Sequence, residues 1–330
     1  MRAVLCRQWG LPETLSLEEL PTPVPGPDEV LISVQACGLS FPDVLTIQGK
    51  YQTKPAFPFT PGGDIAGVVK AVGAKVSAFK VGDAVFGRGQ ESCAEEVLAD
   101  PKLLWHLPAT VSPAEAVSLN NFGTSYHALK DRGQLKAGDT LLVLGASGGV
   151  GLAAVSLGKL MGARVIACAS TPEKLQTCQQ AGADDLINYE TESLRDRIKV
   201  LTHDRGVDVV LDPVGDKFAD PAVRSLAWGG RYLVIGFAAG EIPKVALNLP
   251  LLKGATILGV WAGGLKRNDP KRAQAVAQEV LDLAAAGKIR PHIHHSYSLE
   301  QTADALNELM RRKVQGKVVV EMNQDMPSGE

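Results

Sequence analysis

The sequence has no strong excess of charge of either sign. Its 34 Lys and Arg residues stand against 36 Asp and Glu, which gives a formal net charge of −2 and a pI of about 6.3. Nucleic acid and anionic membranes attract basic surfaces, so we expect neither partner. The N-terminus lacks the apolar core of a signal peptide, and the most apolar region, 140–170, is interrupted by Lys159 and Arg164. We therefore expect no leader and no membrane span.

Cysteine is scarce as well. The five cysteines, at 6, 37, 93, 168 and 178, are odd in number and do not pair closely along the chain. Such a pattern does not indicate a disulfide framework and is typical of reduced thiols. It predicts a cytoplasmic protein.

The residue pattern changes along the 330 residues, a length that favours two domains. Up to about residue 120, short apolar runs alternate with Pro, Gly and Asp, which predicts a small antiparallel barrel or sandwich. From Thr140 onward, six apolar strands alternate with helical stretches, which predicts a doubly wound parallel sheet, a dinucleotide-binding α/β fold. After Trp261 we expect two helices, near 270–286 and 299–313, and a last strand, KVVVEM. The tail, 323–330, is expected to fray.

A glycine-rich turn, GASGGVG at 145–151, follows the first parallel strand and opens a helix. Small residues let the backbone approach a pyrophosphate, and the helix start offers unpaired N–H groups to phosphates. Alanine stands where the usual pattern has its first glycine. With five more strands behind it, the turn predicts a cofactor site formed by Ala146, Ser147, Gly148, Gly149, Val150 and Gly151.

The same turn also fits G-x-S-x-G, the nucleophile elbow of hydrolases, with Ser147 as the nucleophile. A hydrolase would need an acid and a late histidine, which HIHH at 292–295 offers. However, no HG-type oxyanion motif is present, and the preceding region is β-rich where a hydrolase has sheet strands with crossovers. We therefore favour the nucleotide site and keep the hydrolase as an alternative.

The tip of the second parallel strand indicates which nucleotide binds. NAD-binding folds place an acid there for the ribose hydroxyls. Here the strand ends in Ser170 and Thr171, with Lys174 one turn later. A hydroxyl and an amine can bind a 2′-phosphate that an acid would repel, so we predict NADPH. The same residues also form an ordinary helix start with Thr171 as N-cap, and both roles can hold at once.

Further motifs carry a family resemblance over nearly the whole chain. They are PGGDIAGVV (61–69), VGD (81–83), GTSYHAL (123–129), DPVG (212–215) and GFAAG (236–240). With the β-rich first part and the GASGGVG turn, they resemble the medium-chain dehydrogenase/reductase superfamily and its zinc-free quinone oxidoreductases, the ζ-crystallin branch. The resemblance implies a GroES-like catalytic domain, 1–124 and 263–330, a Rossmann domain, 125–262, and an active site in the cleft between them. It also implies a homodimer through the edge strand Thr256–Trp261.

The resemblance also assigns cofactor roles by position. It implies that Gly148, Gly149 and Gly151 face the pyrophosphate, while Ser170, Lys174 and Tyr189 hold the adenosine 2′-phosphate end. It places Gly236 and Phe237 beside the cofactor after the fifth parallel strand, Thr124 and Trp261 near the nicotinamide, and Arg312 and Lys317 at the cofactor from the C-terminal segment. The alternative for the last two is a solvated helix end.

No metal is expected. Zinc-dependent relatives have Cys where Ser40 stands and His where Gly63 stands, and neither residue here can replace such a ligand. No cysteine lies near Thr124, where a third ligand would be expected, and the cysteine cluster of a structural zinc lobe is absent. Cys37 is therefore predicted to be a packed thiol.

Three residues are predicted to serve catalysis. The tyrosine at the position of Tyr51 lines the substrate pocket in the superfamily and is the proposed proton donor of related enoyl-thioester reductases. A phenol is protonated at neutral pH and can stabilise a developing anion; the alternative is an aromatic that packs on Phe57 or Phe59. Ser40 stands where quinone oxidoreductases usually have Asn and can donate one hydrogen bond. Asp43 matches the family and is expected to orient the loop.

The leading hypothesis is a metal-free, NADPH-dependent oxidoreductase that transfers hydride to quinones or similar electron-poor acceptors. Without a Lewis acid, alcohol oxidation is disfavoured, whereas an activated acceptor held in line remains reactive. One alternative is an enoyl-CoA or α,β-unsaturated carbonyl reductase, for which Lys266 and Arg267 offer charges to a CoA phosphate. Another is a nucleotide-binding protein without turnover.

Overall fold

A computed structural model of the protein describes residues 1–89 and 91–322, so the tail expected to fray, 323–330, lies outside the described residues. The chain divides into two compact units. The first unit comprises Met1–Leu119 and Arg290–Glu330, and the second comprises Asn120–Ile289. The domain boundaries derived from the sequence, 124/125 and 262/263, stay a prediction.

The N-terminal part of the first unit is mainly β-structure, as expected. Its helices are α1 (Phe41–Ile47) and α2 (Pro113–Ala116). Its strands are β1 (Arg2–Leu5), β2 (Ser16–Glu19), β3 (Val30–Leu39), β4 (Asp64–Val72), β5 (Ala84–Arg88), β6 (Glu96–Ala99) and β7 (Leu104–His106).

The second unit alternates strands and helices after a first helix, α3 (Leu119–Tyr126), which begins one residue before the unit. A π-helical segment, His127–Arg132, continues α3 and was not predicted. The strands are β8 (Thr140–Val143), β9 (Arg164–Ala169), β10 (Asp185–Asn188), β11 (Val207–Asp212), β12 (Leu226–Val234) and β13 (Thr256–Gly259). The helices are α4 (Gly149–Leu160), α5 (Pro172–Gln180), α6 (Leu194–Leu201), α7 (Ala219–Arg224), α8 (Asn248–Lys253), α9 (Ala262–Asn268) and α10 (Pro270–Ala285).

The C-terminal part of the chain returns to the first unit. It contains β14 (Ile293–Ser298), α11 (Thr302–Met310) and β15 (Lys317–Glu321). The apolar run KVVVEM therefore forms the last strand, as its β-branched residues predict.

The second unit is built on a parallel sheet with the strand order β10-β9-β8-β11-β12-β13. Its central strands, β8 and β11, are buried along their whole length, which explains their apolar composition without polar alternation. The predicted α/β doubly wound sheet is confirmed. From β8 the chain adds strands toward one edge of the sheet, and from β11 it adds strands toward the other edge. Ligands are expected at the carboxyl ends of β8 and β11, where the strand order reverses.

The first unit is organised by a sheet with the order β14-β15-β3-β4-β5-β7, in which β6 also pairs with β3. The register aligns Val319 of β15 with Gly38 of β3, Gly38 with Asp64 of β4, and Asp64 with Arg88 of β5. Residues from four distant segments therefore form one row across the sheet. This row positions the charged cluster described below.

Within the described residues, 1–89 and 91–322, no helix combines the length and the apolar character that crossing a membrane requires.

The glycine-rich turn joins β8 to α4 at the carboxyl edge of the parallel sheet. The Ala146 amide donates to the Cys168 carbonyl (2.9 Å), which fixes the turn beside β9. Gly145 has a φ of +55°, in the left-handed region that favours glycine. A Cβ on Gly151 would lie 2.4 Å from the Gly145 carbonyl oxygen, whereas a Cβ on Gly148 would meet its nearest atom at 3.5 Å. The turn therefore needs glycine at 151 for backbone contact and tolerates a methyl group at 148.

This difference predicts opposite results for two alanine variants of the turn. Gly151→Ala is expected to lower the free energy of unfolding by roughly 1–3 kcal/mol, because backbone atoms must move to relieve the contact. The free energy of unfolding of Gly148→Ala is expected to lie within about 0.5 kcal/mol of that of the native protein. Thermal or urea unfolding measures both, and equal stabilities of the two variants would contradict this account of the turn.

Candidate functional site

The start of α4 has the geometry of a phosphate site. Gly148 is its N-cap, and no side chain caps the helix start. The first-turn N–H groups, which have no intrahelical acceptor, include those of Gly149, Val150 and Gly151. The Ser125 hydroxyl donates to the Val150 carbonyl (2.7 Å) and holds α3 against this turn. Unpaired donors at the positive end of a helix dipole fit a pyrophosphate.

The structure does not support the nucleophile elbow. Ser147 is 6% exposed, and its neighbour Ala146 is fully buried. An elbow serine instead presents its hydroxyl above the sheet. We therefore do not retain the hydrolase alternative.

The residues predicted at the adenosine end come together at the carboxyl ends of β9 and β10. The Lys174 ammonium donates to the Ser170 hydroxyl (3.3 Å), and the Tyr189 amide donates to the Ala169 carbonyl (3.2 Å). Thr171 caps α5, as expected. The Tyr189 ring packs on Phe218, with 4.3 Å between the ring centroids. A hydroxyl, an amine and an aromatic ring therefore share one strand edge, where a ribose phosphate would be recognised.

A buried carboxylate shapes the loops after β11 and β12. Asp212 accepts from the backbone N–H groups of Val214 (2.7 Å) and Gly215 (2.8 Å) and from the Tyr232 hydroxyl. Burial raises the pKa of Asp212, although these donors oppose the shift. The Asp212 carbonyl accepts from the amide of Gly236, and Phe237 follows with a half-exposed ring. The loop that carries Gly236 and Phe237, both predicted to lie beside the cofactor, is thereby held at the carboxyl edge of the sheet.

The two residues predicted near the nicotinamide lie in different parts of the second unit. Thr124 is in α3, next to the serine that binds the glycine turn, and its hydroxyl donates to the Asn120 carbonyl (3.2 Å). Trp261 follows the edge strand β13 and starts α9, with the Arg267 guanidinium 5.1 Å from its ring centroid. The contact of Ser125 with the glycine turn favours a cofactor role for its neighbour Thr124, whereas Trp261 follows the strand at the edge of the sheet.

In the first unit, Asp43 organises the loop that carries Ser40. One Asp43 oxygen accepts from the Ser40 amide (2.8 Å) and the Ser40 hydroxyl (3.2 Å), and the other accepts from the Gly62 amide (3.2 Å). Burial raises the pKa of Asp43, while the Ser40 amide and the charge of Lys317 oppose the shift. This is the geometry of a carboxylate that holds a loop, the role expected for Asp43.

An ion-pair chain lies beside this loop. The Lys317 ammonium donates to one oxygen of Asp64, and the Arg88 guanidinium donates to the other, each at 3.1 Å. The Lys317 and Asp64 side chains are 2% and 6% exposed, whereas that of Arg88 is 42% exposed. Because the Lys317 ammonium is buried against Asp64, we do not include it in the proposed cofactor site.

Arg312 lies just after α11 with a φ of +56°, and its amide donates to the Leu309 carbonyl (3.0 Å). It therefore stands at a helix end, as the alternative for this residue expected. A cofactor contact of Arg312 stays a prediction.

Tyr51 follows α1 on a loop that begins at Gly49. Within residues 1–89 and 91–322, its side chain has no hydrogen bond and no ring contact. The aromatic that packs on Phe57 and Phe59 is Trp9, with centroid distances of 4.5 and 5.9 Å. The packing alternative for Tyr51 is therefore not what the structure shows, and its hydroxyl remains available for a ligand.

The positions that hold metal in zinc-dependent relatives carry other chemistry here. Ser40 bonds to Asp43, and the space of a Gly63 side chain is taken by Arg88, whose Nη2 would lie 2.6 Å from a Cβ there. The described residues contain no group of three or more His, Cys, Asp or Glu side chains placed to hold a metal. Cys37 is fully buried with its sulfur 3.6 Å from that of Cys93, and this contact and burial raise its pKa well above the usual range.

Sequence reasoning missed two charged members of the first-unit cluster, Asp64 and Arg88. Asp64 was visible only as part of the motif PGGD. Gly63 indicated that a large side chain could lie beside it. Only the strand register identifies that side chain as Arg88.

Comparison with known proteins places this geometry in a family. Residues 26–109 match the model of the alcohol dehydrogenase GroES-like domain, and residues 149–284 match that of the zinc-binding dehydrogenase. The chain is 39% identical over 325 residues to quinone oxidoreductase-like protein 2 of Rattus norvegicus, covering 97% of this chain and 92% of the relative. It is 33% identical over 309 residues to quinone oxidoreductase of Homo sapiens, covering 92% of each.

A solved structure agrees over the same length. Escherichia coli quinone oxidoreductase complexed with NADPH superposes with a TM-score of 0.89 at 27% identity, covering 97% of this chain and all of that one. The GroES-like and Rossmann assignments are thereby confirmed. The chain belongs to the medium-chain dehydrogenase/reductase family of oxidoreductases, in its zinc-free quinone oxidoreductase group.

Proposed function

We propose that this protein is an NADPH-dependent reductase that transfers hydride to quinones or similarly electron-poor acceptors. The observation that carries the proposal is the strand tip at β9, where the Lys174 ammonium lies 3.3 Å from the Ser170 hydroxyl. A cation and a hydroxyl there suit a 2′-phosphate, whereas an NAD-binding fold has a carboxylate. The names of the relatives and the NADPH in the neighbouring structure support the same cofactor and acceptor class.

The cofactor would be held by residues of the second unit. The turn at Gly148–Gly151 fits a pyrophosphate, because glycine leaves its backbone N–H groups uncovered at a helix start. The adenosine end would contact Ser170, Lys174 and Tyr189, and the nicotinamide end would lie by Thr124, Gly236 and Phe237. NADPH, when bound, supplies a hydride.

The first unit supplies the polar groups for the acceptor. Tyr51 is proposed as the proton donor, because its hydroxyl has no partner among the described residues and a phenol can protonate a developing anion. Ser40 is held by Asp43, so its position is fixed. The enoyl-CoA alternative gains no support from Lys266 and Arg267, which bind Asn120 and the Trp261 ring.

We also propose a homodimer through β13, which ends the parallel sheet. Ile257 on this strand is 38% exposed, and Leu251 and Leu252 of the preceding helix, α8, are strongly exposed. An apolar edge strand invites pairing, and a second copy of the chain would cover it. The five cysteines are free and buried, which fits a reducing compartment, and we propose the cytoplasm.

The cofactor assignment predicts a selective defect in Lys174→Ala. Loss of a charge-assisted hydrogen bond to the 2′-phosphate should raise the Kd for NADPH by roughly 10–100-fold and leave the Kd for NADH unchanged. Fluorescence titration measures both constants, and Lys136→Ala, which removes an exposed lysine of the same unit, serves as the control. Equal affinities of the native protein for NADPH and NADH would refute the assignment.

The catalytic assignment is tested by NADPH oxidation with 1,2- and 1,4-quinones, alkenals and short enoyl-CoAs. We expect quinone turnover, and Tyr51→Phe should lower kcat roughly 10²–10⁴-fold without changing the Kd for NADPH. Tyr297→Phe, which removes the hydroxyl of a buried tyrosine elsewhere in the first unit, is the matched control. Unchanged turnover in Tyr51→Phe removes this residue from the mechanism. Turnover of enoyl-CoAs alone supports the alternative reductase, and NADPH binding without any oxidation supports a protein without turnover.

The dimer predicts that Ile257→Lys shifts the molar mass from two chains to one, because the edge would then carry an uncompensated charge in each copy. Light scattering after size exclusion measures this mass. Val200→Lys alters an exposed apolar residue of α6 and should leave the dimer intact. A single-chain mass for the native protein rules the dimer out.

A further inference from the structure

Arg88 is a cation that is anchored on one side and exposed on the other. It ends β5 directly opposite Asp64, the first residue of β4, and its Nη1 donates to Asp64 at 3.1 Å. The second oxygen of Asp64 is taken by the buried Lys317 ammonium. Asp64 is thereby fixed in the interior, and it holds one edge of the guanidinium while 42% of the Arg88 side chain stays exposed.

The guanidinium lies against Gly63, next to the residue that bonds to the Ser40 and Asp43 pair at the start of α1. A Cβ on Gly63 would lie 2.6 Å from Nη2 of Arg88 and 3.3 Å from its Cζ, so the arginine occupies the volume of a side chain at 63. The preceding residue, Gly62, donates its amide to Asp43. Arg88 and Asp43 therefore contact two consecutive residues, whose Cα atoms are about 3.8 Å apart.

Within this cluster, the donors differ in what they can offer an anion. A serine hydroxyl has one proton, and that of Ser40 is directed to Asp43. The Lys317 ammonium is buried. Arg88 has five N–H donors, one of which serves Asp64, and it is the exposed cation of the four charged side chains at 43, 64, 88 and 317.

We propose that Arg88 is a catalytic residue that binds the carbonyl oxygen of the acceptor and stabilises the negative charge formed there. This inference rests on the proposed function and names the group that stabilises its anion. When hydride adds to an electron-poor quinone or enone, the electron pair of the donor C–H bond forms the new bond and the π electrons move to the carbonyl oxygen. The acceptor gains two electrons, and NADPH becomes NADP⁺.

Arg88 does not provide the proton that completes the reduction. An arginine remains charged throughout the physiological pH range, so it stabilises an oxyanion without transferring a proton. The proton comes from Tyr51, the donor proposed above. The two residues therefore have separate roles, and removal of one does not remove the other's contribution.

Binding of 4-nitrophenolate, a stable phenolate that resembles the reduced anion, tests Arg88 without turnover. With NADP⁺ present, the native protein is expected to bind it, and Arg88→Met should weaken binding at least roughly 10-fold, the loss of one charge-assisted contact. Arg88→Lys should restore part of the affinity. The neutral 4-nitroanisole should bind all three proteins equally. Equilibrium dialysis measures each affinity.

A second variant tests whether the position of the Arg88 charge matters as well as its presence. Gly63→Ala keeps Arg88 but places a methyl group where its guanidinium lies, so it should also weaken phenolate binding. Unfolding midpoints of all variants identify any general loss of structure. In steady-state kinetics with 1,4-benzoquinone, Arg88→Met should lower kcat by roughly 10²–10³-fold while the Kd for NADPH stays unchanged.

The outcomes distinguish this inference from the proposed function. Absence of phenolate binding by the native protein, or equal binding by a folded Arg88→Met variant, overturns the role of Arg88. Failure of the native protein to reduce any acceptor overturns the proposed function itself. Loss of phenolate binding in both Arg88→Met and Gly63→Ala, with recovery in Arg88→Lys, supports the assignment.

Discussion

The buried ion pair between Lys317 and Asp64 is the interaction on which the first unit's polar cluster depends. Both side chains are nearly inaccessible, so each charge needs its partner to offset the loss of water. The pair joins the last strand, β15, to β4 across β3, and the Lys317 stem passes over Gly38, where a Cβ would lie 2.6 Å from Cε. Removing one partner would leave an uncompensated buried charge, a change that typically costs about 3–5 kcal/mol.

In both units, glycine makes room for a group on a neighbouring segment. At Gly38 and Gly63 the missing side chain leaves a volume that a lysine stem and a guanidinium occupy. At Gly151 it lets helix and turn backbones approach within a distance that no Cβ permits. At Gly38 and Gly63 the charged group is on a neighbouring segment, and the glycine determines where that group can lie.

The chemistry follows from which groups are fixed and which are accessible. In the second unit, the carboxyl edge of the parallel sheet collects uncovered N–H donors, a hydroxyl and an amine, an arrangement suited to a dinucleotide phosphate. In the first unit, Asp43 fixes Ser40, and Asp64 fixes the edge of Arg88, which leaves the rest of the guanidinium exposed. Fixed, oriented charges of this kind stabilise a developing anion because they need no rearrangement during the reaction.

Features that depend on local periodicity and turn chemistry could be predicted from the sequence. The six apolar strands, the glycine turn and the tip with Ser170 and Lys174 were all predicted, since each is encoded within a few residues. The partners of Lys317 and Arg88 follow only from the way the strands pair. Lys317 was expected at the cofactor but bonds to an aspartate 253 positions away, and Arg88 was not singled out. Their placement depends on the register of four strands, and a shift of one residue would turn every side chain to the opposite face of the sheet.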